Sequence, residues 1–515
     1  MTSPLSLLHF LNGLGGEAVE RHGPWPRLVV DEAAWKALIG QLAVSRWSLL
    51  GLWAEQGVVH MALRDAEGDE FAVASLPCPD GRFPSVSGVR PSAQRLERAI
   101  QDLYGMTAVG LADGRPWLDH GRWPLRHPLA ASPGEPGQMP PYEFLPVLGE
   151  GLHQIPVGPV HAGIIEPGHF RFHANGEAVA RLEERLGYVH KGVEKLMEGR
   201  SVAEAGRIIA RLSGDSTVAY GFAFALAVEA ALRHDPPPRA IWLRGLMAEL
   251  ERIANHLGDI GAICNDASFA VMLALCGALR ERVLRAADQC FGHRLMMDRV
   301  VPGGVTHDLN PEGAALLRSL VSELRPALAD VVHLYDEENS LLDRTMGTGI
   351  VSGTLVHRFG AGGIVGRASN RDIDARRTPC YAPYGFFDFD VPTSFAGDVN
   401  ARVWMRMREV ASSLDLIEAM VRDMPSGDLM SDLPAAVGEG MPAAAGEGMA
   451  LVEGFRGEIL VWVRLDADGR IARCHPRDPS WFQWPLLEAA IKDNIVADFP
   501  LCNKSFNCSY SGHDL

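Results

Sequence analysis

Residues 242–263 read WLRGLMAELERIANHLGDIGAI, and apolar side chains recur in this stretch every three or four residues. That spacing is typical of an amphipathic α-helix. The same period continues in Leu309–Glu337, and we expect it to extend over most of the chain between Glu177 and about Arg299. The sequence therefore predicts a mainly helical domain.

Strands are predicted at the edges of this helical region. Val157–Phe172 is expected to form a β-hairpin. Gly457–Leu465 and Gly469–His475 are expected to pair as two further strands around a tight turn. The near-duplicate runs VGEGM (437–441) and AGEGM (445–449) are too short for a structural repeat and are expected to form a loop.

A Pro- and Gly-rich stretch at 132–141 divides the chain. Strand-like runs at 47–53 and 58–63 and a helix around 93–103 precede it, which indicates a small separate domain. We therefore predict an α+β fold in which a small N-terminal α/β domain is fused to a mainly helical domain with a β-hairpin edge. The predicted boundaries are 1–131 for the first domain, 132–143 for the linker and 144–515 for the second domain.

Composition excludes several classes of protein. The 515 residues carry 48 Lys and Arg against 64 Asp and Glu, a formal charge of −16, which argues against a general nucleic-acid binder. No uninterrupted apolar run reaches the length of about 18 residues that a membrane span needs. The N-terminus lacks the pattern of a signal peptide, and the eight cysteines contain no CxxC pair. We expect a cytoplasmic chain that is held at a membrane, if at all, by partners.

Several sequence blocks occur in an order that resembles the catalytic large subunit of group 4 [NiFe] hydrogenases of the formate hydrogenlyase type. That subunit is in turn similar to the quinone-site subunit of respiratory complex I. The blocks are GPVHAGIIEPGHFRF (158–172), LGYVHKGVEK (186–195), ELERIANH (249–256), DRTMGTG (343–349) and GRASNRDIDARR (366–377). ERAIQDLYG (97–105) and WLDHGRWP (117–124) resemble the small complex I subunit that is fused to some of these proteins.

The resemblance implies a subunit of a membrane-associated, redox-driven ion-pumping complex at the cytoplasmic face of the inner or plasma membrane. Its expected partners are an iron–sulfur subunit with a terminal [4Fe-4S] cluster and antiporter-like membrane subunits. His190, Lys191, Glu194 and Lys195 lie at helical spacing within 179–197 and are either a contact for the iron–sulfur partner or a solvated face.

The family holds nickel through two CxxC pairs, since soft thiolates bind nickel and bridge it to iron. Residues 211–216 read RLSGDS and residues 505–512 read SFNCSYSG, so that Ser213, Ser216, Ser509 and Gly512 stand at the four ligand positions. A protonated hydroxyl is a poor nickel ligand. Nickel, and with it hydrogenase activity, is therefore not expected; Cys502 and Cys508 are six residues apart and read as ordinary thiols.

The quinone chemistry of complex I is an open alternative. The family's quinone-binding Tyr falls at Gly214 here, its partner His corresponds to His161, and Tyr220 is either a substitute for the missing Tyr or a core residue. An NAD site is not supported by a G-x-G-x-x-G motif, because the Gly-rich run 360–366 has the wrong spacing. No cofactor is predicted on this chain itself.

Four polar residues are candidates for retained chemistry. Glu166 and His169 are either a proton relay or a hairpin salt bridge, and Arg367 is either an electrostatic lid or an ordinary ion pair. Asp215 either binds water or a hard cation with the two flanking serines, or is part of a helix N-cap. Glu249, Arg252 and His256 are expected to form a buried polar seam.

Two functions follow from these expectations. In the first, the chain is an electron-transfer or proton-coupling module at the end of the partner's iron–sulfur chain. In the second, it is a redox-silent structural coupling subunit. A quinone- or NADH-dehydrogenase-like oxidoreductase subunit is the further alternative.

Overall fold

The computed structural model describes residues 6–65, 69–163, 165–433 and 446–515. The first part of the chain contains the predicted strands around 47–53 and 58–63 and the predicted helix around 93–103, together with further short strands and helices. Its elements are α1 (Leu7–Gly13), β1 (Glu17–Ala18), β2 (His22–Gly23), β3 (Arg27–Val29), α2 (Glu32–Val44), β4 (Ser48–Glu55), β5 (Val58–Arg64), β6 (Phe71–Pro77), β7 (Arg82–Pro84), α3 (Ala93–Tyr104) and β8 (Thr107–Val109).

Most of these strands form one five-stranded sheet with the order β1-β3-β6-β5-β4. Two of its long strands, β4 and β5, pair antiparallel and bury almost every side chain, since one face packs on α3 and the other on the rest of the protein. Residues 132–143 beyond it contain no helix or strand.

The second part of the chain is mainly helical. Its elements are β9 (Leu152–Val157), β10 (His169–Asn175), β11 (Ala178–Arg185), α4 (Val193–Met197), α5 (Val202–Ile209), α6 (Thr217–Leu232), α7 (Pro238–Asp266), α8 (Ala270–Phe291), β12 (Val300–Val301), β13 (Gly304–Val305), α9 (Pro311–Glu337), α10 (Asn339–Thr345), α11 (Gly353–Phe359), α12 (Gly363–Arg367), α13 (Val399–Asp423), β14 (Glu447–Gly454), β15 (Gly457–Leu465), β16 (Ile471–Arg477), α14 (Ser480–Ala490), α15 (Phe499–Phe506) and α16 (Tyr510–Asp514).

The predicted helices at α7 and α9 and the predicted strand pair β15–β16 are confirmed. The prediction of helix from Glu177 onward is wrong at its start, because Ala178–Arg185 is a strand that pairs with β10. Helical structure in this part begins only at Val193. The predicted hairpin is also displaced: its strands are β9 and β10, joined by a long connection that includes residues 158–163.

A four-stranded sheet, in the order β16-β15-β14-β2, joins the two parts of the molecule, because its edge strand β2 comes from the N-terminal part. The prediction of a loop over the two GEGM runs is wrong for the second run, which begins strand β14; the first lies outside the described residues. Gly448 lets β14 lie directly on α6, since a Cβ there would overlap the carbonyl oxygen of Ala227.

Helix α6 lies in the core under this sheet. The stretch Gly214–Leu232 is long and apolar enough to cross a membrane, but 72% of its apolar window is buried inside the protein. A buried core helix passes the same test of length and composition. The packing of β14 on α6 fixes the turn between β14 and β15 near the N-terminus of α6, and this is where the candidate site lies.

Candidate functional site

The four positions predicted to replace the family's cysteine ligands come from two distant segments. Ser213 and Ser216 belong to the turn that precedes α6, and Ser509 is the N-cap of α16. The Ser213 and Ser509 side-chain oxygens are 3.0 Å apart. The Ser509 oxygen also accepts a hydrogen bond of 2.9 Å from the main-chain N–H of Gly512. The fold thus brings the two segments together.

An ion pair fills the space between them. The guanidinium of Arg456, in the β14–β15 turn, binds both carboxylate oxygens of Asp215 at 2.8 and 2.6 Å. The Ser213 hydroxyl donates to the same carboxylate at 2.9 Å, and Arg456 also donates to the Ser216 hydroxyl at 3.2 Å. Burial acts to raise the pKa of Asp215, but Arg456 and Ser213 outweigh it and lower the pKa to about 2. Asp215 therefore stays ionised.

A second carboxylate lies against Gly512. A Cβ at this position would be 2.5 Å from the Oδ2 atom of Asp478. Asp478 is fixed there by two hydrogen bonds, one from the Tyr220 hydroxyl and one of 2.8 Å from the main-chain N–H of Ser480. Burial and the neighbouring Asp478 charge raise the pKa of Tyr220. A cysteine side chain at 512 would collide with this arrangement.

The residues present therefore do not fit a nickel–iron centre. Two of the four positions carry hydroxyls that contact each other, the third carries a hydroxyl that binds Arg456, and the fourth is closed by Asp478. Within the described ranges, no cluster of three His, Cys, Asp or Glu side chains is arranged to hold a metal ion.

One further carboxylate closes the site on the α7 side. Asp259 binds Arg406 at 3.1 Å, Lys504 at 3.2 Å and the Asn507 side-chain amide at 2.8 Å. Asn507 also accepts, through its main-chain carbonyl, a hydrogen bond from Arg456. Asp215 and Asp259 thus lie on either side of Arg456, and Asn507 connects Arg456 to Asp259.

Arg367 lies in a second, fully buried group of charges, which we call the Arg367 cluster. Its seven members are each at most 1% exposed: Glu249, Arg252, Arg367, Asp374, Arg376, Glu409 and Glu453. The Arg367 guanidinium contacts Glu409 at 2.6 Å, Glu453 at 2.8 Å and Asp374 at 3.5 Å. Of the two roles predicted for Arg367, the geometry corresponds to the ion pair.

The predicted polar seam on α7 forms part of the same cluster. Glu249 binds Arg252 at 3.2 Å, and His256 contacts Glu409 of α13 at 2.8 Å. Arg252 reaches the β14–β15 turn, where it donates to the carbonyl oxygens of Glu453 at 2.6 Å and Gly454 at 3.2 Å. The turn is therefore held by the Arg367 cluster at one end and by Asp215 at the other.

Glu166 and His169 bond to separate main-chain groups. Exposed Glu166 accepts from the main-chain N–H of Ser511 at 3.1 Å. His169 is buried and bonds to the carbonyl of Gly158 at 3.3 Å; burial lowers its pKa. His161 bonds to the Gly168 carbonyl at 2.8 Å. These three side chains stabilise the connection between β9 and β10.

The residues predicted to share one helical face are separated, because 186–192 is a loop. Glu194 is buried against Arg473 at 3.0 Å and His475 at 2.7 Å. His190 bonds to the Asp514 carbonyl at 2.7 Å. Lys191 and Lys195 are exposed beside a cleft of 290 Å³ that is lined by Trp123, Leu125 and Leu196.

Cys502 and Cys508 are both buried single thiols. Burial raises the pKa of Cys502 to about 12 and also raises that of Cys508. Cys508 contacts the side-chain oxygen of Gln483 at 3.9 Å. Both are core residues.

Sequence reasoning missed Arg456, Asp478, Glu409 and Glu453. One signal was available for Arg456, since a charged residue stood in the tight turn GFRG (454–457) between two apolar strands. The other three gave no signal, because their partners are distant in the sequence.

Comparison with known proteins gives matches over both parts of the chain. The family model of the respiratory-chain NADH dehydrogenase 49 Kd subunit matches residues 266–439 and 434–514. The model of the 30 Kd subunit of the same enzyme matches residues 48–133.

Full-length relatives agree with these matches. Hydrogenase-4 component G of Escherichia coli is 31% identical over 88% of this chain and 80% of its own length. An NADH-quinone oxidoreductase subunit of Phocaeicola vulgatus is 28% identical over 82% of this chain and 85% of its own. A chain of the membrane-bound sulfane sulfur reductase, an archaeal respiratory membrane complex, superposes with a TM-score of 0.67 at 25% identity, covering 72% of this chain and 100% of that one.

Proposed function

The chain belongs to the family of fused 30 Kd and 49 Kd complex I subunits and group 4 hydrogenase large subunits, and on that premise we propose that it is a nickel-free coupling subunit of a membrane-associated, redox-driven ion-pumping complex. It lies at the end of an iron–sulfur partner's electron path and passes proton or conformational changes to antiporter-like membrane subunits. It is peripheral, at the cytoplasmic face.

The observation that supports this proposal is the Arg456–Asp215 ion pair beside Ser213 and Ser216, two of the four positions predicted to replace the family's cysteine ligands. A bidentate guanidinium–carboxylate pair is strong and geometrically specific. On this proposal, two charged groups that cannot be reduced, but that can change their partners, stand in place of a redox-active group. Asp478, which lies where a fourth ligand would project, supports the same conclusion.

The surface beside Lys191 and Lys195 is our proposed contact for the iron–sulfur partner. Leu196 is 49% and Leu125 45% exposed next to this cleft. Apolar side chains ringed by charge are typical of protein interfaces.

A quinone reductase is the weaker candidate. A quinone headgroup at this site would need a free donor, yet the Tyr220 hydroxyl is bonded to Asp478 and His161 to a main-chain carbonyl. Both groups that could bind a headgroup are therefore already engaged by the protein.

The test uses the purified complex. We expect iron only in the amounts that the partner's clusters require, no stoichiometric nickel and no hydrogen evolution. We expect Asp215→Asn to leave the complex assembled and to reduce the ions translocated per electron. The control Asp298→Asn removes an exposed pair with Arg211 and should leave this ratio unchanged. Stoichiometric nickel, or normal coupling in Asp215→Asn, would overturn the proposal.

A further inference from the structure

The Arg367 cluster contains more carboxylates than cations. Its ion pairs link four acids to three arginines, and all seven side chains are removed from water. An uncompensated charge in such a position is costly and is usually relieved by taking up or releasing a proton.

Among the four carboxylates of the cluster, Glu453 has the fewest cationic partners. Asp374 has Arg376 as its own partner at 2.7 Å, and Glu409 is shared by Arg367, His256 and Arg252. Within the part of the chain that the structure describes, the ion pair of Glu453 is to Arg367, at 2.8 Å, which binds Glu409 as well. Its other oxygen accepts from the main-chain N–H of Ala375 at 3.1 Å.

Glu453 and Asp374 also lie close to each other. One nitrogen of Arg367, Nη1, contacts both carboxylates, at 2.8 and 3.5 Å. Two carboxylates that share one donor repel each other, and this repulsion separates their affinities for a proton. Burial raises the pKa of Glu453 and the Asp374 charge adds to the rise, to about 7, while Arg376 keeps that of Asp374 low.

We propose that Glu453 and Asp374 form a carboxylate pair that holds one exchangeable proton, carried on Glu453, behind the Arg456–Asp215 ion pair. Burial lowers the pKa of His256, against the effect of the hydrogen bond between its Nε2 atom and Glu409, and its buried Nδ1 atom has no partner among the described residues. The charged and titratable groups facing the pair are Glu249 and Arg252 on α7, Arg367 on α12, Arg376 beyond it, Tyr381, Glu409 on α13, and Glu458 on β15 with Arg64, Arg371 and Arg477 around it.

The proton on Glu453 is connected to the candidate site through the β14–β15 turn. Glu453 lies in β14 immediately before the turn that carries Arg456, so a change of charge at Glu453 alters the electrostatics of that turn. That the proton takes part in ion coupling rests on the function proposed above. The presence of the bound proton on Glu453 does not depend on that function.

The first measurement is the infrared carbonyl band of protonated carboxyl groups in the full-length chain, titrated around pH 7. We expect wild type to show one such group more than Glu453→Gln. The exposed control Asp372→Asn, whose ion pair is with Arg377, should match wild type. Glu251, buried and with a pKa raised to about 8 by burial and the nearby Asp215 charge, gives a band that both variants keep.

Asp374→Asn is the second variant, in case the first does not fold. Removing the repelling charge should shift the titration of the Glu453 band to lower pH. An unchanged band in Glu453→Gln, or a wild type without a band that titrates near pH 7, would overturn the proton site. If the band behaves as expected but Glu453→Gln pumps normally, the site stands and its part in coupling falls.

Discussion

Ser213 and Ser509 lie 296 positions apart in the chain, yet their side-chain oxygens are 3.0 Å from each other. The fold thus brings together two of the positions that are predicted to replace the family's cysteine ligands. What occupies the place is a set of hydroxyls and ion pairs whose partners are protein groups: Asp215 with Arg456, and Asp478 with Tyr220. Such a set stabilises the contact between the two segments without a metal.

The first prediction concerns the closed fourth position. We expect Gly512→Ala to lower the free energy of unfolding by about 1–3 kcal/mol, because the added Cβ would press on Asp478. Urea-induced unfolding of the full chain measures this. Gly214→Ala is the matched control in the same site, since a Cβ there meets nothing within 4 Å. Equal stability of the two variants would contradict the packing described here.

The second prediction concerns acid stability. Because the pKa of Asp215 is lowered to about 2 from an ordinary value of 3.8, its ionised form contributes stability above about pH 4, and this contribution is lost as the pH falls towards 2. We expect Asp215→Asn to be less stable than wild type by about 1–2 kcal/mol at pH 6; this allows for the 36% exposure of the Asp215 side chain.

The difference should shrink as the pH is lowered from about 4 to about 2.5. Thermal unfolding over this range measures it, and Asp372→Asn, which breaks an exposed pair with Arg377, serves as the surface control. A difference that stays constant over the whole range would show that the ion pair does not control the pKa of Asp215.

Long segments with a regular apolar spacing could be predicted from the sequence. The expectation that Ser213, Ser216, Ser509 and Gly512 belong to one site came from the family resemblance. Helices α7 and α9 were predicted correctly because each repeats one apolar spacing over more than twenty residues. Strand β11 was not, since its apolar residues Val179 and Leu182, with Leu186 just beyond it, suit a helix equally well. Pairing with β10 decides its structure, and that pairing is tertiary.

The charges of the site escaped prediction for the same reason. Arg456 is 241 positions from Asp215, and Tyr220 is 258 positions from Asp478. No local spacing relates such partners. The charged residues around the predicted ligand positions are therefore the least visible ones in a sequence read without the fold.

The third prediction concerns Arg367. Its removal would leave the carboxylates of Glu409, Glu453 and Asp374 short of a cation in the protein interior. Breaking a buried ion pair from one side costs about 3–5 kcal/mol, so we expect Arg367→Ala to be destabilised by at least that amount. Arg377→Ala, which breaks an exposed pair with Asp372, should cost less than about 1 kcal/mol. If unfolding shows similar stabilities for the two variants, Arg367 does not hold the cluster together.

The last prediction concerns the contact with the iron–sulfur partner. The cleft beside Leu196 combines two half-exposed leucines with the cations Lys191 and Lys195, and a partner that covers it would desolvate the leucines first. We expect Leu196→Asp to reduce the amount of iron–sulfur partner that co-purifies with this chain by roughly tenfold or more, since a carboxylate buried at an interface costs several kcal/mol. Val44→Asp is the control, because Val44 is 81% exposed at the end of α2 and lies far along the chain from this cleft. Co-purification of the partner should be unchanged in the control, and circular dichroism should show both variants folded. If Leu196→Asp binds the partner as wild type does, the partner docks elsewhere and the proposed contact beside Lys191 is wrong.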